Sequence, residues 1–346
     1  MISAFNSLKG LLALMIFIHH LGLYNGGGSL AVTIFFILSG FLSAIGYNKR
    51  VFSNDFSYKD YLVGKCIKFY PMHWLLLITA IPFMLLDSSM SITKIGLIGV
   101  NAMLIHSFIP IQSVYFSGNA VSWYLSDTLA FVAVFPFVLR WMILANKKMK
   151  LIVILVICII YVLFWIFLPQ DYTHSFFYIS PMFRFIDYMT GIAVALCYLK
   201  LKDKQHIKEF VSNHLMLLNS LACVCFAFLV AISFANEKLV LHSIIYMPCV
   251  CVMLIIIALT GGGYLRVSIL QKFGAISFAF FLVHYMCIRY LHLILGKIGL
   301  DEIFFVATLA FIITTIVSYF LTYKFDKIIS LWLKNKLLNQ QSMTVQ

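Results

Sequence analysis

Charged residues are scarce in this chain. They make up 11% of its 346 residues, where a soluble globular domain carries about 25%. No stretch is polar and long enough to form a soluble domain, which excludes the common water-soluble fold classes. The first apolar run lacks a small-residue cleavage site, so no cleavable signal peptide is expected. Zinc-type cysteine spacing is missing too. Cys223/Cys225 and Cys249/Cys251 are one residue apart and diverge on a helix, and all eight cysteines are expected to be packing residues. No metal site and no permanently bound cofactor is expected. Internal repeats and low-complexity linkers are also lacking. The expectation is one transmembrane domain over 1–340 and a short tail, 341–346.

What remains is apolar. Hydrophobic residues reach 63%, and the mean hydropathy is +1.00. Runs of spanning length predict ten helices near 9–24, 29–47, 70–87, 123–144, 149–168, 178–198, 212–235, 240–260, 275–295 and 302–323. The fold class is therefore an all-α, polytopic integral membrane protein of about ten transmembrane helices. The net charge of +13 does not imply a nucleic-acid partner, because the cations mark topology. With both termini cytoplasmic, the cations of five segments face inside: Lys49–Lys68, Arg140–Lys150, Lys200–Lys208, Arg266–Lys272 and Lys324–Lys336. Lys94, Lys238 and Lys297 fall outside, and Lys9, Arg184 and Arg289 lie within or at the edge of spans. A further apolar piece, 95–109, would invert every later loop if it crossed. It is expected to be re-entrant, packed inside the protein. Tyr24, Trp123 and Tyr178 suit an interfacial aromatic belt, and His73, His106 and His292 a packing or interface role. Residues 328–338 read as an amphipathic surface helix or as an ordinary basic tail.

Ionisable groups inside spans are costly and mark function. Lys9 and His20 are eleven residues apart, about three helical turns, so they share one face roughly 16 Å apart, while His19 points about 80° away. A Gly26–Gly28 turn follows, then Phe35-Phe36-Ile37-Leu38-Ser39-Gly40-Phe41. Lys65 and Lys68 share a helix face and read either as a phosphate clamp or as a positive-inside anchor. Asp127, in Trp123-Tyr124-Leu125-Ser126-Asp127, is expected at the outer end of its span. It could orient His20 and raise its basicity or cap the helix start. Arg184 and Asp187 can pair across one turn, as a structural lock or as an oxyanion or acceptor site. His284 is a buried imidazole or part of a tunnel lining.

These segments together resemble the membrane acyltransferase 3 family, which O-acylates bacterial surface polysaccharides and other carbohydrates. That family opens with Arg, ten residues and His, then FFxLSGF; here Lys9 replaces the Arg, and His20 and the signature are kept. Lys65 and Lys68 stand for Arg-x-x-Arg. Trp123, Leu125-Ser126 and Phe135-Pro136 match WSLSxE…FP, with Thr128 at the glutamate position and Asp127 beside it. Pro181-x-x-Arg184 matches as well. Ile276-Ser277 to His284 matches a His element, with Phe278 and Phe281 where tyrosines are usual.

The resemblance implies an O-acyltransferase of the bacterial inner membrane. It would move an acyl group, acetyl first, from cytoplasmic acetyl-coenzyme A to a hydroxyl of a surface or lipid-linked glycan. It implies His20 and Asp127 as catalytic, Lys9, Ser39, Lys65 and Lys68 as donor-binding, and Trp123, Ser126, Arg184 and His284 at the acceptor or oxyanion site. Besides these substrates, membrane lipids are the expected partners. From the residues alone, a proton-coupled transporter or flippase fits intramembrane charges equally well, although no inverted repeat is evident. A scaffold for other polysaccharide enzymes is a third reading.

Overall fold

The helix starts are written in short polar side chains. Ser91 accepts a hydrogen bond from the Lys94 amide, Asn146 from Met149, Ser180 from Met182 and Glu302 from Phe305, each satisfying an amide that has no partner within its helix. In a computed structural model, which describes residues 3–85, 91–235 and 243–338, the chain is helical throughout and no strand occurs among the described residues. The expected tail 341–346, Lys238 and the span ends at 86–87 and 240–242 lie outside the described residues.

The main helices are α1 (Ala4–His20), α2 (Gly27–Tyr47), α3 (Tyr58–Leu85), α4 (Ile92–Ala102), α5 (Trp123–Leu144), α6 (Lys147–Phe167), α7 (Pro181–Leu201), α8 (Gln205–Asn213), α9 (Leu215–Ala235), α10 (Met247–Thr260), α11 (Ser268–Gly296), α12 (Ile303–Phe320) and α13 (Lys327–Leu337). Eight spans among the described residues are long and apolar enough to cross a membrane. The ten expected spans all correspond to helices, but two are short. α1 has 17 residues and α10 has 14, about 26 and 21 Å at 1.5 Å per residue, against a hydrocarbon core of about 30 Å. Both are walled in by longer helices. α6 is the opposite case: none of its residues is buried, and it meets the bundle through rings such as Tyr161 and Phe164, which pack on Phe177 and Phe183. Cys158, Cys197 and Cys223 are likewise exposed, so the packing role expected for them does not hold.

The helix after α3 is shorter than a spanning length. α4 has 11 residues, and it runs back along α3. The Tyr70 hydroxyl, His73 Nε2–H and Trp74 indole N–H donate to the carbonyls of Met103, Asn101 and Ala102 at 3.0, 2.8 and 2.9 Å. Irregular backbone follows, with Leu104 at φ 56°. Its carbonyl accepts from the Ser126 hydroxyl at 2.6 Å, and the Asn119 side-chain amide donates to Leu282 O at 2.9 Å. Protein donors and acceptors thus replace the water that a loop at this depth lacks.

The consequence is that α5 starts inside the bundle. Trp123 and Tyr124 pack on Phe36, near the middle of α2, and Trp123, Tyr178 and Tyr24 are buried. The aromatic-belt reading of these three fails for that reason. Asp127, the fifth residue of α5, is likewise buried inside the bundle.

Two glycine contacts set the central helices. A Cβ on Gly40, in the Leu-Ser-Gly-Phe signature, would stand 2.0 Å from Tyr188 O of α7, and one on Gly191 would stand 1.8 Å from Ile37 O of α2. Backbones touch there, the small-residue mode of membrane helix packing. Gly46, on the same helix, has nothing within 4 Å of such a Cβ. Gly40→Ala is therefore expected to lower the melting temperature in detergent sharply, whereas Gly46→Ala should hold or raise it, because Ala is favoured over Gly in a helix by about 0.5–1 kcal/mol. Equal melting temperatures for the two variants would contradict the contact.

Candidate functional site

α1 ends at His20, and the chain turns back through Gly26 into α2. The two adjacent imidazoles part company there. His19 donates from Nδ1 to Tyr24 O at 3.1 Å, closing the turn. His20 Nδ1 lies 2.9 Å from Ile16 O and 3.1 Å from His284 Nε2 on α11. The Tyr285 ring meets His20 edge-on, 5.3 Å between centroids. His20 opens on a cavity of about 300 Å³ whose wall includes His19, Asn25, Trp123, His174 and Tyr178. His174 and Tyr178 come from a π-helical turn, His174–Ile179, a feature frequent at functional sites. Burial pushes the His174 imidazole below its ordinary range, with Arg184 adding to the effect. Imidazoles, aromatic faces and short polar side chains thus share this wall.

Several expected site residues stand elsewhere. Asp127 is fully buried, beside Ser107 and towards the Arg184–Asp187 pair. It makes no ion pair within 4.0 Å of His20. The expected His20–Asp127 partnership is not formed, because α5 starts deep in the bundle and its first turn faces the re-entrant loop. The neighbour that His20 has instead is His284. Ser126 is spent on Leu104 O and on the Ser107 hydroxyl, 2.7 Å away; it pins the loop and does not border the cavity. Arg184 is also fully buried. It donates to Asp187 at 2.7 Å and to the Thr33 hydroxyl at 3.0 Å, and its guanidinium lies 5.1 Å from the Tyr178 ring centroid. It supports the cavity wall from behind. Ser39 approaches the Tyr124 hydroxyl at 3.5 Å and borders neither this cavity nor the next.

A second cavity, of about 570 Å³, lies at the opposite end of the bundle, where α2 ends and α3 begins. Lys65 and Lys68 line it with Arg50, Asp60, Asp326 and Lys334. Lys9 stands close enough to Lys68 for their charges to repel, and its ammonium meets Asn6 Oδ1 at 3.4 Å. None of Lys9, Lys65 and Lys68 has a carboxylate within 4.0 Å. Lys65 lies 5.1 and 5.2 Å from the centroids of Tyr47 and Tyr61, and Lys68 lies 5.9 Å from that of Phe278. The lining is mixed in charge, with Asp55, Asp60 and Asp326 facing Arg50, Lys65, Lys68 and Lys334, and Asp326 is near enough to Lys68 for the two charges to attract. Sequence reading found the lysines and missed Arg50, Asp326 and Lys334. Asp326 sits on a second π-helical turn, Leu321–Asp326, and Lys334 on α13. The C-terminal helix thus walls a cavity, a role that neither the surface-helix nor the tail reading gave it.

Lys9, near Lys68 of the second cavity, and His20, at the first, lie towards opposite ends of one face of α1. The family profile described as acyltransferase domain (acyltransferase 3) matches residues 2–323. The chain belongs to the acyltransferase 3 family. Among curated proteins it is similar to the acyltransferase MdmB of Streptomyces mycarofaciens, 27% identical over 297 residues, covering 78% of this chain and 70% of that protein. No solved structure matches. The chain is thus a polytopic membrane acyltransferase.

Proposed function

We propose that this acyltransferase is an O-acetyltransferase that uses cytoplasmic acetyl-coenzyme A and a glycan or lipid-linked glycan hydroxyl. The observation that carries the reading is the pair of cavities at the two ends of one histidine- and lysine-bearing helix. The donor's phosphates would bind Lys65 and Lys68, with Lys9 above them, and its pantetheine arm would extend along α1 towards His20. The acceptor would enter the opposite cavity, stacking on Trp123 and Tyr178 with hydroxyls towards Asn25 and His19. His20 takes the proton of the acceptor hydroxyl. The oxygen attacks the thioester carbonyl, the C–S bond breaks, and the proton passes to the leaving coenzyme A thiolate.

The orientation follows from charge. Cations crowd the loops on the Lys65 side, which supports a cytoplasmic position for that cavity and both termini by the positive-inside rule; the proposed location is the bacterial inner membrane. A single cysteine at position 148 in a cysteine-free background should react with an impermeant thiol reagent only after the cells are opened. Labelling on intact cells would reverse the assignment.

Transfer from radiolabelled acetyl-coenzyme A to extracted glycan, with purified protein, tests the reaction itself. His20→Ala should abolish transfer in a protein that still inserts and melts normally, since a general base contributes about 10²- to 10⁴-fold. His19→Ala should be milder. An active His20→Ala with a dead His19→Ala would move the chemistry to the neighbouring imidazole.

The Lys65→Ala/Lys68→Ala double variant should raise KM for the donor far more than it lowers kcat, because phosphate contacts bind ground and transition state alike. An unchanged KM would reduce the two lysines to topology markers.

A further inference from the structure

The hydrogen bonds around His20 and His284 determine which nitrogen carries each proton. His284 Nδ1 lies 3.2 Å from Phe280 O, and His20 Nδ1 lies 2.9 Å from Ile16 O. In both cases the partner is the carbonyl four residues earlier on the same helix. A carbonyl only accepts, so each Nδ1 carries a hydrogen, and a neutral imidazole has one N–H. Both Nε2 atoms therefore hold lone pairs. His284 Nε2 stands 3.1 Å from His20 Nδ1, so the same His20 N–H donates to Ile16 O and to His284 Nε2. His20 Nε2 is left as the basic atom at the cavity.

We infer that His284 is the positioning residue of the reaction: an uncharged acceptor behind His20 that holds its Nδ1–H tautomer and stabilises the imidazolium formed when Nε2 takes the acceptor's proton. In most base–orienter pairs this place belongs to a carboxylate. Here the candidate carboxylate, Asp127, faces away, and the fully buried His284 occupies the position. The groups around His20 support an uncharged arrangement. His19 precedes it on α1, and Tyr285 and His284 meet it from α11. The cavity side brings His174 and Tyr178 and no carboxylate. A second acceptor on the same N–H also fixes the ring plane, because Ile16 O alone would let the imidazole swing about the hydrogen bond. Phe280 packs parallel to the His284 ring, 6.3 Å between centroids and 9° between planes, and Phe17 packs at its edge. The orienting imidazole is itself held on two sides.

This inference rests on the acyl-transfer reading, so its test has one arm that needs no activity. His284→Leu fills the site without an acceptor, whereas His284→Gln sets an amide oxygen near the place of Nε2. In the transfer assay, His284→Leu is expected to lower kcat about 10- to 100-fold, less than loss of the base itself, with KM for donor and acceptor unchanged. His284→Gln should recover most of that loss. Equal losses in the two variants at equal melting temperature, or wild-type kcat in His284→Leu, would overturn the role. The second arm reads ¹⁵N imidazole shifts of wild-type protein labelled on histidine, assigned by comparison with His20→Ala and His284→Ala. Both residues should show Nδ1–H with unprotonated Nε2. Nε2–H on either one would refute the arrangement whether or not acyl transfer is found. Absence of transfer with the expected shifts would instead strike the reaction and leave the hydrogen-bond geometry standing.

Discussion

The close crossing of α1 and α11 is the constraint on which the site depends. A Cβ on Gly274 would stand 1.7 Å from the Asn6 carbonyl, and one on Gly10 would stand 3.1–3.3 Å from Phe273, Gly274 and Leu270. Without side chains at these two glycines the helices lie backbone to backbone at the Lys9 end. Ten residues further along each helix, Ile16–His20 meets Phe280–His284. The imidazoles can reach hydrogen-bond distance only because the axes were brought together earlier. A pair of glycines thus sets the geometry of a pair of histidines, and the fit costs no buried charge. In a membrane interior that economy matters, since a carboxylate in the same place would need its own desolvation offset.

The same logic separates the structural charges from those that face the cavities. Arg184 and Asp187 are wholly buried and answer each other at 2.7 Å, and with Thr33 they bind α7 to α2. They sit behind Tyr178 and fix the wall on which an acceptor would lie. Lys9, Lys65 and Lys68 are the reverse. They have aromatic rings and one another as neighbours and no carboxylate within 4.0 Å. Asp326 offsets part of the repulsion at Lys68, and an incoming anion would offset more.

Much of this was legible in the chain. Hydropathy gave all ten helices, because an apolar run of spanning length has few alternatives. The cation pattern argued against 95–109 as a span, and the 11-residue α4 agrees with that. The eleven-residue interval gave the Lys9–His20 face and separated His20 from His19, since a helix period is a local property. What failed was non-local. Asp127 was paired with His20 on the assumption that both mark the same depth, and nothing local reveals that α5 begins within the bundle. That depth is set by hydrogen bonds to α3, to Leu104 O and to Leu282 O, across as many as 163 residues. Tyr24, Trp123 and Tyr178 looked interfacial for the same reason. Arg50, Asp326 and Lys334 converge from three distant stretches, and their sequence signal is indistinguishable from ordinary inner-loop charge.

An aromatic stretch of α11 lies between the two cavities. On α11, Phe278 lies by the Lys68 ammonium and Phe281 lines the His20 cavity. The two are three residues apart, about 4.5 Å along the helix, and pack with Phe35, Phe69 and Tyr124, so aromatic side chains lie between Lys68 and the His20 cavity. For the proposed reaction this layer has two duties. It keeps water on the donor side from reaching the thioester carbonyl at His20, and it must part for a chain no thicker than a pantetheine arm. Phenylalanine suits both, because it packs on its neighbours without a hydroxyl that would need a partner inside the layer. With Phe at 278 and 281, neither position adds a hydroxyl to this layer.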